Sequence, residues 1–251
     1  VAGQAEKRVL VLGDSHLGPE QDLRRFKALG NYIKSVEPDI IVEIGDFLTL
    51  DSLSGWDKDK RKKMEGRRYE KEIVAGNRAL DFIQGVPKNT KRRIKVKGNH
   101  ENRLDRYLDH DPTFAGQVSI EKDLKLKERG FEVVEYKDHI DVSGISFTHV
   151  PINGLGRAIG EPNVTKKALA LYNNSVVFGH CHVLSHTAEH RTNAPHLNQA
   201  LCCGAFFEHV DEYAVGSKTD YWRGIVLLTV YHNNRFDLAT TSMSNLLKRH
   251  L

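Results

Sequence analysis

The sequence predicts an α/β fold with two β-sheets, and three observations support this. Apolar runs alternate with a helical pattern early in the chain: residues 9–12, then the helical spacing of residues 19–35, then residues 40–44. This alternation is typical of a parallel sheet with right-handed crossovers. After His186 the pattern is rich in strands, which indicates a second sheet. The 251 residues, 39% of them hydrophobic, suffice for a full core, so we expect residues 1–251 to form a single domain.

The individual elements are predicted from periodicity and from chain breakers. One face of the first helix carries Leu23, Phe26, Leu29 and Ile33, and Pro38 lies beyond its end. Further strands are predicted at residues 94–97, 131–134, 140–142, 145–147, 176–178, 185–191, 197–202, 225–231 and 235–240. Further helices are predicted at residues 101–109 and 163–171, with turns at residues 193–195 and 232–234.

A charged excursion at about residues 51–85 separates the second strand from the third. Residues 57–72 hold eight basic and five acidic side chains, and they predict one or two exposed helices interrupted at Gly66. A solvated face with internal ion pairs explains such a pattern. The alternative is an arm beside the functional site that contacts substrate or a second subunit, because the excursion starts just after Asp46.

The charge of the chain is only mildly basic, with a formal net charge of +4. This charge permits an anionic substrate but does not require nucleic acid. The run of residues 88–97 holds six basic side chains and no acidic one. Residues 88–93 are expected at the solvated start of a strand, opposite the end where Asn99 lies.

The cysteines and the apolar runs indicate where the protein works. There are three cysteines, an odd number, and Cys202 and Cys203 are sequence neighbours, which favours a reducing compartment. The longest apolar runs are shorter than the roughly 18 residues of a membrane span, and residues 1–8 lack the apolar core of a signal peptide. We therefore expect a cytoplasmic protein without a membrane partner.

Polar side chains with ligand chemistry follow five strand-like runs. The five segments are Gly13-Asp14-Ser15-His16, Gly45-Asp46, Gly98-Asn99-His100-Glu101, Thr148-His149 and Gly179-His180-Cys181-His182. In open α/β sheets the carboxyl edge of the strands is where ligands bind. The recurrence on five strands therefore predicts one functional site at this edge.

The candidate ligands offer two carboxylates, one amide oxygen and four imidazoles, and they are Asp14, His16, Asp46, Asn99, His149, His180 and His182. This set is too large for one tetrahedral zinc ion. It suits two divalent ions that share a bridging group, and its mixed nitrogen and oxygen atoms disfavour Ca²⁺. We expect Mn²⁺ first, with Fe²⁺, Zn²⁺ or Ni²⁺ as alternatives. On an extended segment, residues i and i+2 share a face, so Asp14 and His16 are expected to point the same way.

These motifs, in this order, resemble those of the calcineurin-like metallophosphoesterase superfamily. The resemblance implies a four-layer αββα sandwich, in which two mixed sheets are flanked by helices. It implies that Asp14, His16 and His182 hold one metal ion, that Asn99, His149 and His180 hold the other, and that Asp46 bridges both. The segments Asp51-Ser52-Leu53-Ser54, Glu65-Gly66-Arg67-Arg68-Tyr69 and Tyr221-Trp222-Arg223-Gly224-Ile225 are similar to those of a subgroup carried by bacteriophages and prophages, which would place the protein in the host cytoplasm.

The resemblance also implies the chemistry. A hydroxide that bridges the two ions would attack phosphorus, and His100 would be the catalytic residue that stabilises the transition state or protonates the leaving oxygen. Many relatives carry Gly-Asp-x-x-Asp, in which the last aspartate orients this histidine. Thr49 stands at that position here, so the group that orients His100 is left open.

The substrate is predicted less closely. The serine/threonine phosphatase branch carries Asp-Arg-Gly where this chain has Phe47-Leu48-Thr49-Leu50. The phosphate-binding arginine of that branch is therefore missing from this chain. The predicted function is a phosphodiesterase or nuclease acting on DNA, RNA or nucleotides. The alternatives are a phosphomonoesterase acting on a small metabolite or a phosphoprotein and, below that, a non-catalytic metal-bearing scaffold. The candidate substrate contacts are Arg157, Asn102, Arg103, Trp222 and Arg223, and the oligomeric state is left open.

Overall fold

Two mixed β-sheets form the centre of the molecule, in a computed structural model that describes residues 6–85, 87, 89–190, 197–209, 221–231 and 234–251. In chain order the strands are β1 (Lys7–Leu12), β2 (Ile40–Glu43), β3 (Arg92–Val96), β4 (Phe131–Val134), β5 (Ile140–Val142), β6 (Ile145–Thr148), β7 (Ser175–Phe178), β8 (Leu184–His190), β9 (Leu197–Cys203), β10 (Gly224–Val230) and β11 (Phe236–Ser242). The helices are α1 (Arg24–Val36), α2 (Arg61–Met64), α3 (Tyr69–Ile83), α4 (Asn102–His110), α5 (Ile120–Asp123), α6 (Val164–Leu171) and α7 (Met243–His250).

The first sheet has the order β11-β10-β1-β2-β3-β4. Strands β1 to β4 run parallel to one another, whereas β10 and β11 are antiparallel additions at one side. The second sheet has the order β5-β6-β7-β9-β8, with β6, β7 and β9 parallel. The carboxyl ends of β1, β2 and β3 therefore lie side by side, as do those of β6 and β7.

The two sheets pack face to face, and helices cover their outer faces. Along β1, Val9 and Val11 belong to the apolar layer between the sheets, whereas Leu10 and Leu12 belong to the layer beneath the helices. This alternation follows the two-residue period of a strand, and both faces are fully buried. Helices α1, α3 and α7 contribute to the layer over the first sheet, and α6 to that over the second. The αββα sandwich is thereby confirmed.

The predicted elements are found with shifts of a few residues at their ends. The largest shift is at α1, which begins at Arg24 rather than at residue 19, because Gln21 and Asp22 lie in a loop where their side chains contact Arg25 and the Arg24 amide. The sequence prediction missed α5 and α7. Most of the predicted turns, residues 193–195 and 232–233, lie outside the described residues, as does Arg191 at the predicted end of β8.

The charged excursion is only partly an exposed helical arm. Helix α2 has no buried residue, as predicted, and the predicted interruption at Gly66 lies between the end of α2 and the start of α3. Helix α3, in contrast, inserts Ala75, Ala79 and Leu80 into the core under the first sheet.

The side chains of the basic run, residues 88–97, differ in their exposure. Arg92 makes a surface ion pair with Glu132, whereas Lys95 is buried. None of the helices in the described residues has the length and apolar composition that a membrane-spanning segment requires.

Candidate metal centre

The seven predicted ligands converge at the carboxyl ends of five strands. Asp14 and His16 follow β1, Asp46 follows β2, and Asn99 follows β3 in the first sheet. His149 follows β6, and both His180 and His182 follow β7 in the second sheet. Five of the seven are buried, and Asn99 and His180 are half-buried. The site therefore lies where the ends of the two sheets meet.

One group of ligand atoms consists of Asp14, His16 and His182. The Asp14 Oδ2 atom lies 3.1 Å from Nε2 of His182 and 4.0 Å from Nε2 of His16. The Asp14 carboxylate also accepts the backbone N–H of His180 at 3.0 Å, which ties the loop after β7 to the loop after β1. One carboxylate oxygen and two imidazole nitrogens thus face one small volume.

A second group consists of Asp46, His149 and His180, and the amide oxygen of Asn99 lies beside it. The His149 Nε2 atom lies 3.4 Å from Asp46 Oδ2 and 3.0 Å from Asn99 Oδ1. Asp46 Oδ2 is also 3.6 Å from Nε2 of His16. Asp46 therefore lies between the two groups, as a bridging ligand must.

The loops reach this arrangement through left-handed backbone. The φ angles are 41° at His16, 51° at Asp46, 67° at His180 and 60° at His182. Such angles are uncommon for residues other than glycine, and they persist where the surrounding structure over-determines them. The expectation that Asp14 and His16 share a face of an extended segment was right in its result and wrong in its reason, because His16 is not extended.

Two glycines permit the close approach of these loops. A Cβ atom at Gly98 would collide with the Asp46 carboxylate and its backbone nitrogen. Gly45 has a φ of 112°, and a Cβ there would collide with the His149 ring. Both glycines precede predicted ligands because a larger residue would push the ligand-bearing loops apart.

The chemistry of the donor set fits a bound cation. The Nδ1–H of His149 donates to the Ile44 carbonyl, so its Nε2 faces oxygens of both Asp46 and Asn99. Burial alone would lower the pKa of His149, but the adjacent Asp46 carboxylate raises it to about 10. Burial would likewise raise the pKa of Asp46, yet the imidazoles of His149 and His100 hold it well below its usual value. A positive charge at this point, from protons or from a metal ion, would pair with the Asp46 carboxylate and the Asn99 amide oxygen.

Beneath the ligands, the carboxylate of Glu101 joins two ligand-bearing loops. Its Oε2 accepts the backbone N–H groups of Asp46 at 2.9 Å and Gly98 at 2.8 Å, and its Oε1 accepts that of Phe47 at 2.9 Å. Lys95 pairs with Glu101 at 3.3 Å and with Glu43, and all three side chains are buried. Neither Lys95 nor Glu43 was singled out by the sequence, since a lysine in a basic run looks solvated.

A calcineurin-like phosphoesterase family model matches residues 7–184, most of the chain. The chain belongs to this family. It is also similar to the gene 54 proteins of two mycobacteriophages. It is 26% identical to that of phage L5, over 89% of each chain, and 25% identical to that of phage D29, over 91% of each chain. A solved crystal structure aligns with a TM-score of 0.50 at 13% identity, covering 95% of this chain and 100% of that one, which supports the fold.

Within this phosphoesterase, His100 lies beside the candidate ligands and is oriented by main chain. Its Nδ1–H donates to the carbonyl oxygen of Thr49 at 2.7 Å, and its Nε2 lies 4.0 Å from Asp46 Oδ2. An N–H of Arg103 donates to the same Nε2 at 3.2 Å. Burial lowers the pKa of His100 to about 4, so the imidazole is neutral at pH 7 before substrate binds.

Of the candidate substrate contacts, only Arg103 lies against His100. Asn102 is half-buried at the start of α4. Arg157 is exposed, and the loop before it closes on itself, since Asn153 Oδ1 accepts the backbone N–H groups of Leu155 and Arg157. These two backbone N–H groups are therefore engaged within the loop itself.

The other two candidates lie near the loops after β7 and β9. The Trp222 indole packs against Gly204 and Gly224, which leaves it half-buried. The Arg223 guanidinium lies 5.5 Å above the ring centroid of Phe207.

The sequence prediction missed two aromatic residues at the metal centre. The Tyr221 ring lies 4.7 Å from that of His182, edge to face, and the Phe207 ring lies 5.3 Å from those of His16 and His182. Tyr221 belongs to a segment that resembled the phage subgroup, which was a usable signal. Phe207 carries no motif. Together the two rings restrict the imidazoles on one side of the site.

Proposed function

We propose that this protein is a dinuclear metal-dependent phosphodiesterase that hydrolyses phosphodiester bonds in nucleic acid or nucleotides. The observation that carries the proposal is Asp46, whose Oδ2 lies 3.6 Å from Nε2 of His16 and 3.4 Å from Nε2 of His149 and so is within reach of both proposed ions. Asp14, His16 and His182 would hold one ion, and Asn99, His149 and His180 the other. Mn²⁺ is the proposed metal, with Fe²⁺, Zn²⁺ or Ni²⁺ as rivals. When bound, two such ions supply Lewis acidity and lower the pKa of a shared water.

His100 is proposed to act on the leaving oxygen. Its Nδ1 proton is engaged by the Thr49 carbonyl, so Nε2 is the nitrogen that exchanges a proton with substrate. A bound phosphate would draw the Arg103 N–H away from Nε2 and place negative charge near the imidazole, which raises the pKa of His100 and favours its protonated form. Arg103 Nη1 is anchored on the Thr49 carbonyl at 2.8 Å and on Asp51 Oδ1 at 3.1 Å. The guanidinium is thereby held where it can stabilise charge on a phosphate oxygen.

The diester preference rests on what the loop after Asp46 lacks. Phe47, Leu48, Thr49 and Leu50 are all buried, and none is cationic. The phosphatase branch would need an arginine in this loop to grip a terminal phosphate. Phage relatives and mild basicity favour a nucleic acid or nucleotide as the substrate. The phage relatives also favour the cytoplasm of a phage host as the compartment, where the free thiols of Cys181, Cys202 and Cys203 would persist.

The test is hydrolysis of bis-p-nitrophenyl phosphate and of p-nitrophenyl phosphate by metal-stripped protein resupplied with Mn²⁺. The proposal requires a higher kcat/KM for the diester, and activity that EDTA abolishes. A higher kcat/KM for the monoester would replace the proposal with the phosphomonoesterase alternative. Absence of turnover for both esters, with metal shown to be bound, would favour the non-catalytic scaffold.

A further inference from the structure

A cavity of about 780 Å³ opens beside the metal centre, between His16 and His100 on one side and the charged excursion on the other. Pockets of a few hundred to about 1,000 Å³ hold small ligands or single nucleotides rather than a duplex. The excursion contributes a wall of residues from Ser54 to Lys71, which includes Trp56, Asp57, Lys60, Lys63, Arg67 and Arg68.

The cations of this wall are held in place by one carboxylate. The Asp57 side chain, only 10% exposed, lies 2.8 Å from Nζ of Lys60, 3.0 Å from Nζ of Lys63 and 3.6 Å from Nη1 of Arg67. Hydrogen bonds from the two lysines hold the pKa of Asp57 at about 2, so it stays ionised. Three cations therefore surround the Asp57 carboxylate at a defined place on the wall.

Acidic side chains at the cavity offset only part of the positive charge of this cluster. Glu72 of α3 accepts hydrogen bonds from Ser52, Thr49 and the Asp51 backbone, so its carboxylate is engaged by the loop after Asp46. Asp51 pairs with Arg103 at 3.1 Å and also lies 3.8 Å from Nη1 of Arg67, so its carboxylate is shared between two cations. Glu20 and Glu65 also line the cavity. The wall is therefore a local cationic cluster within a mixed surface, which suits one or two phosphates.

Trp56 adds a flat apolar surface next to these charges. Its side chain is 88% exposed although it lines the same cavity, whereas the Trp222 indole is half-buried against backbone. An exposed indole beside phosphate-binding cations is the arrangement by which proteins stack unpaired bases. Bases inside a duplex present their edges, not their faces, to such a side chain.

We propose that the excursion is a binding wall for single-stranded nucleic acid, where Trp56 stacks on an unpaired base and Lys60, Lys63 and Arg67 contact a neighbouring, non-scissile phosphate. This inference rests on the proposed function, because it places that strand next to the metal centre. It also names the substrate as an unpaired strand. Lys60 and Lys63 exchange part of their contact with Asp57 for contact with the phosphate when the strand binds.

The test is equilibrium binding of fluorescein-labelled, phosphorothioate-linked hexathymidylate to the full chain, by anisotropy in EDTA, where turnover is absent. The paired variant K60A/K63A removes two cations of the wall. The matched control K58A/K62A removes two exposed lysines of the same segment that do not line the cavity. We expect Kd to rise about tenfold in K60A/K63A and less than about twofold in the control. For a single strand, the slope of log K against log salt should fall by about 1.4 only in K60A/K63A.

Trp56 is tested with W56A, W56F and a second probe that lacks bases. W56A should weaken hexathymidylate binding about tenfold, W56F should recover most of this loss, and the abasic oligomer should respond to neither. The proposal would be contradicted if K60A/K63A and K58A/K62A lost the same affinity for hexathymidylate, or if W56A weakened the binding of both probes equally. Tighter binding of a duplex than of the single strand would also overturn it. Each of these results leaves Mn²⁺-dependent hydrolysis of bis-p-nitrophenyl phosphate untouched, so the two proposals fail separately.

Discussion

The Nδ1 atom of His100 lies 2.7 Å from the carbonyl oxygen of Thr49, so main chain orients this histidine. Thr49 stands at the position where many relatives carry an aspartate for the same purpose, and its own side chain turns instead to Glu72 at 3.2 Å. A carbonyl can only accept, so it fixes the Nδ1–H tautomer as firmly as a carboxylate would, without adding a negative charge. The departure from the family motif therefore leaves His100 usable.

His100→Ala should lower kcat for bis-p-nitrophenyl phosphate by about 10²–10⁴-fold, the usual contribution of a general acid. The seven candidate ligands remain, so metal content by mass spectrometry should not change. If the variant kept full activity, the role assigned to His100 would be wrong. If it lost its metal as well, His100 would be a ligand, since its Nε2 lies 4.0 Å from Asp46 Oδ2.

Arg103→Ala should affect kcat more than KM, because Arg103 contacts both the Thr49 carbonyl and Nε2 of His100. We expect the fold decrease in kcat to exceed the fold increase in KM by about ten- to hundredfold. Arg103→Lys should recover part of kcat but not all, since an ammonium cannot make both contacts in the same fork geometry. The pH profile of kcat is the diagnostic readout. A change in KM alone, with an unchanged profile, would reduce Arg103 to a substrate clamp.

Glu101→Gln should destabilise the protein by about 3–5 kcal/mol, because it leaves the buried Lys95 with one carboxylate partner and removes an acceptor from backbone N–H groups. The matched control is Glu132→Gln, which breaks the half-exposed pair with Arg92 and should cost below about 1 kcal/mol. Denaturant unfolding of the metal-free chain measures both. Equal effects would mean that Glu101 does not join the ligand loops.

Glu43 should make stability fall as pH rises. Burial, with Glu101 nearby, raises its pKa from its ordinary 4.5 to about 7 even though Lys95 opposes this shift. Between these values the unfolded chain loses the proton and the folded chain keeps it. Stability attributable to Glu43 therefore falls by about 3 kcal/mol from pH 4.5 to pH 7.

Glu43→Gln abolishes this dependence, so its stability relative to wild type should increase across that pH window, as measured by urea unfolding at several pH values. Other titrating groups cancel in the difference between the two proteins. A relative loss of stability with rising pH would show instead that the ion pair with Lys95 outweighs burial.

The sequence was most informative where function resides in side chains at strand ends. Asp14, Asp46, Asn99 and His149 follow apolar runs directly; the parallel order of β1, β2 and β3 brings the first three together, and the packing of the two sheets adds His149. The orienting carbonyl of Thr49 could not be found in this way, because a backbone contact leaves no residue signature. Likewise, the buried Lys95 resembles the solvated lysines around it until Glu43 and Glu101 are placed beside it by the fold.

The most direct test of the central claim is the number of Mn²⁺ ions that the chain needs for diester hydrolysis. Metal-stripped protein is titrated with Mn²⁺ while binding heat and bis-p-nitrophenyl phosphate turnover are followed in parallel. We predict two ions per chain, with turnover reaching its plateau only near the second equivalent, and with Asp46→Asn unable to retain both. One ion per chain at full activity, or turnover without added metal, would contradict the dinuclear centre.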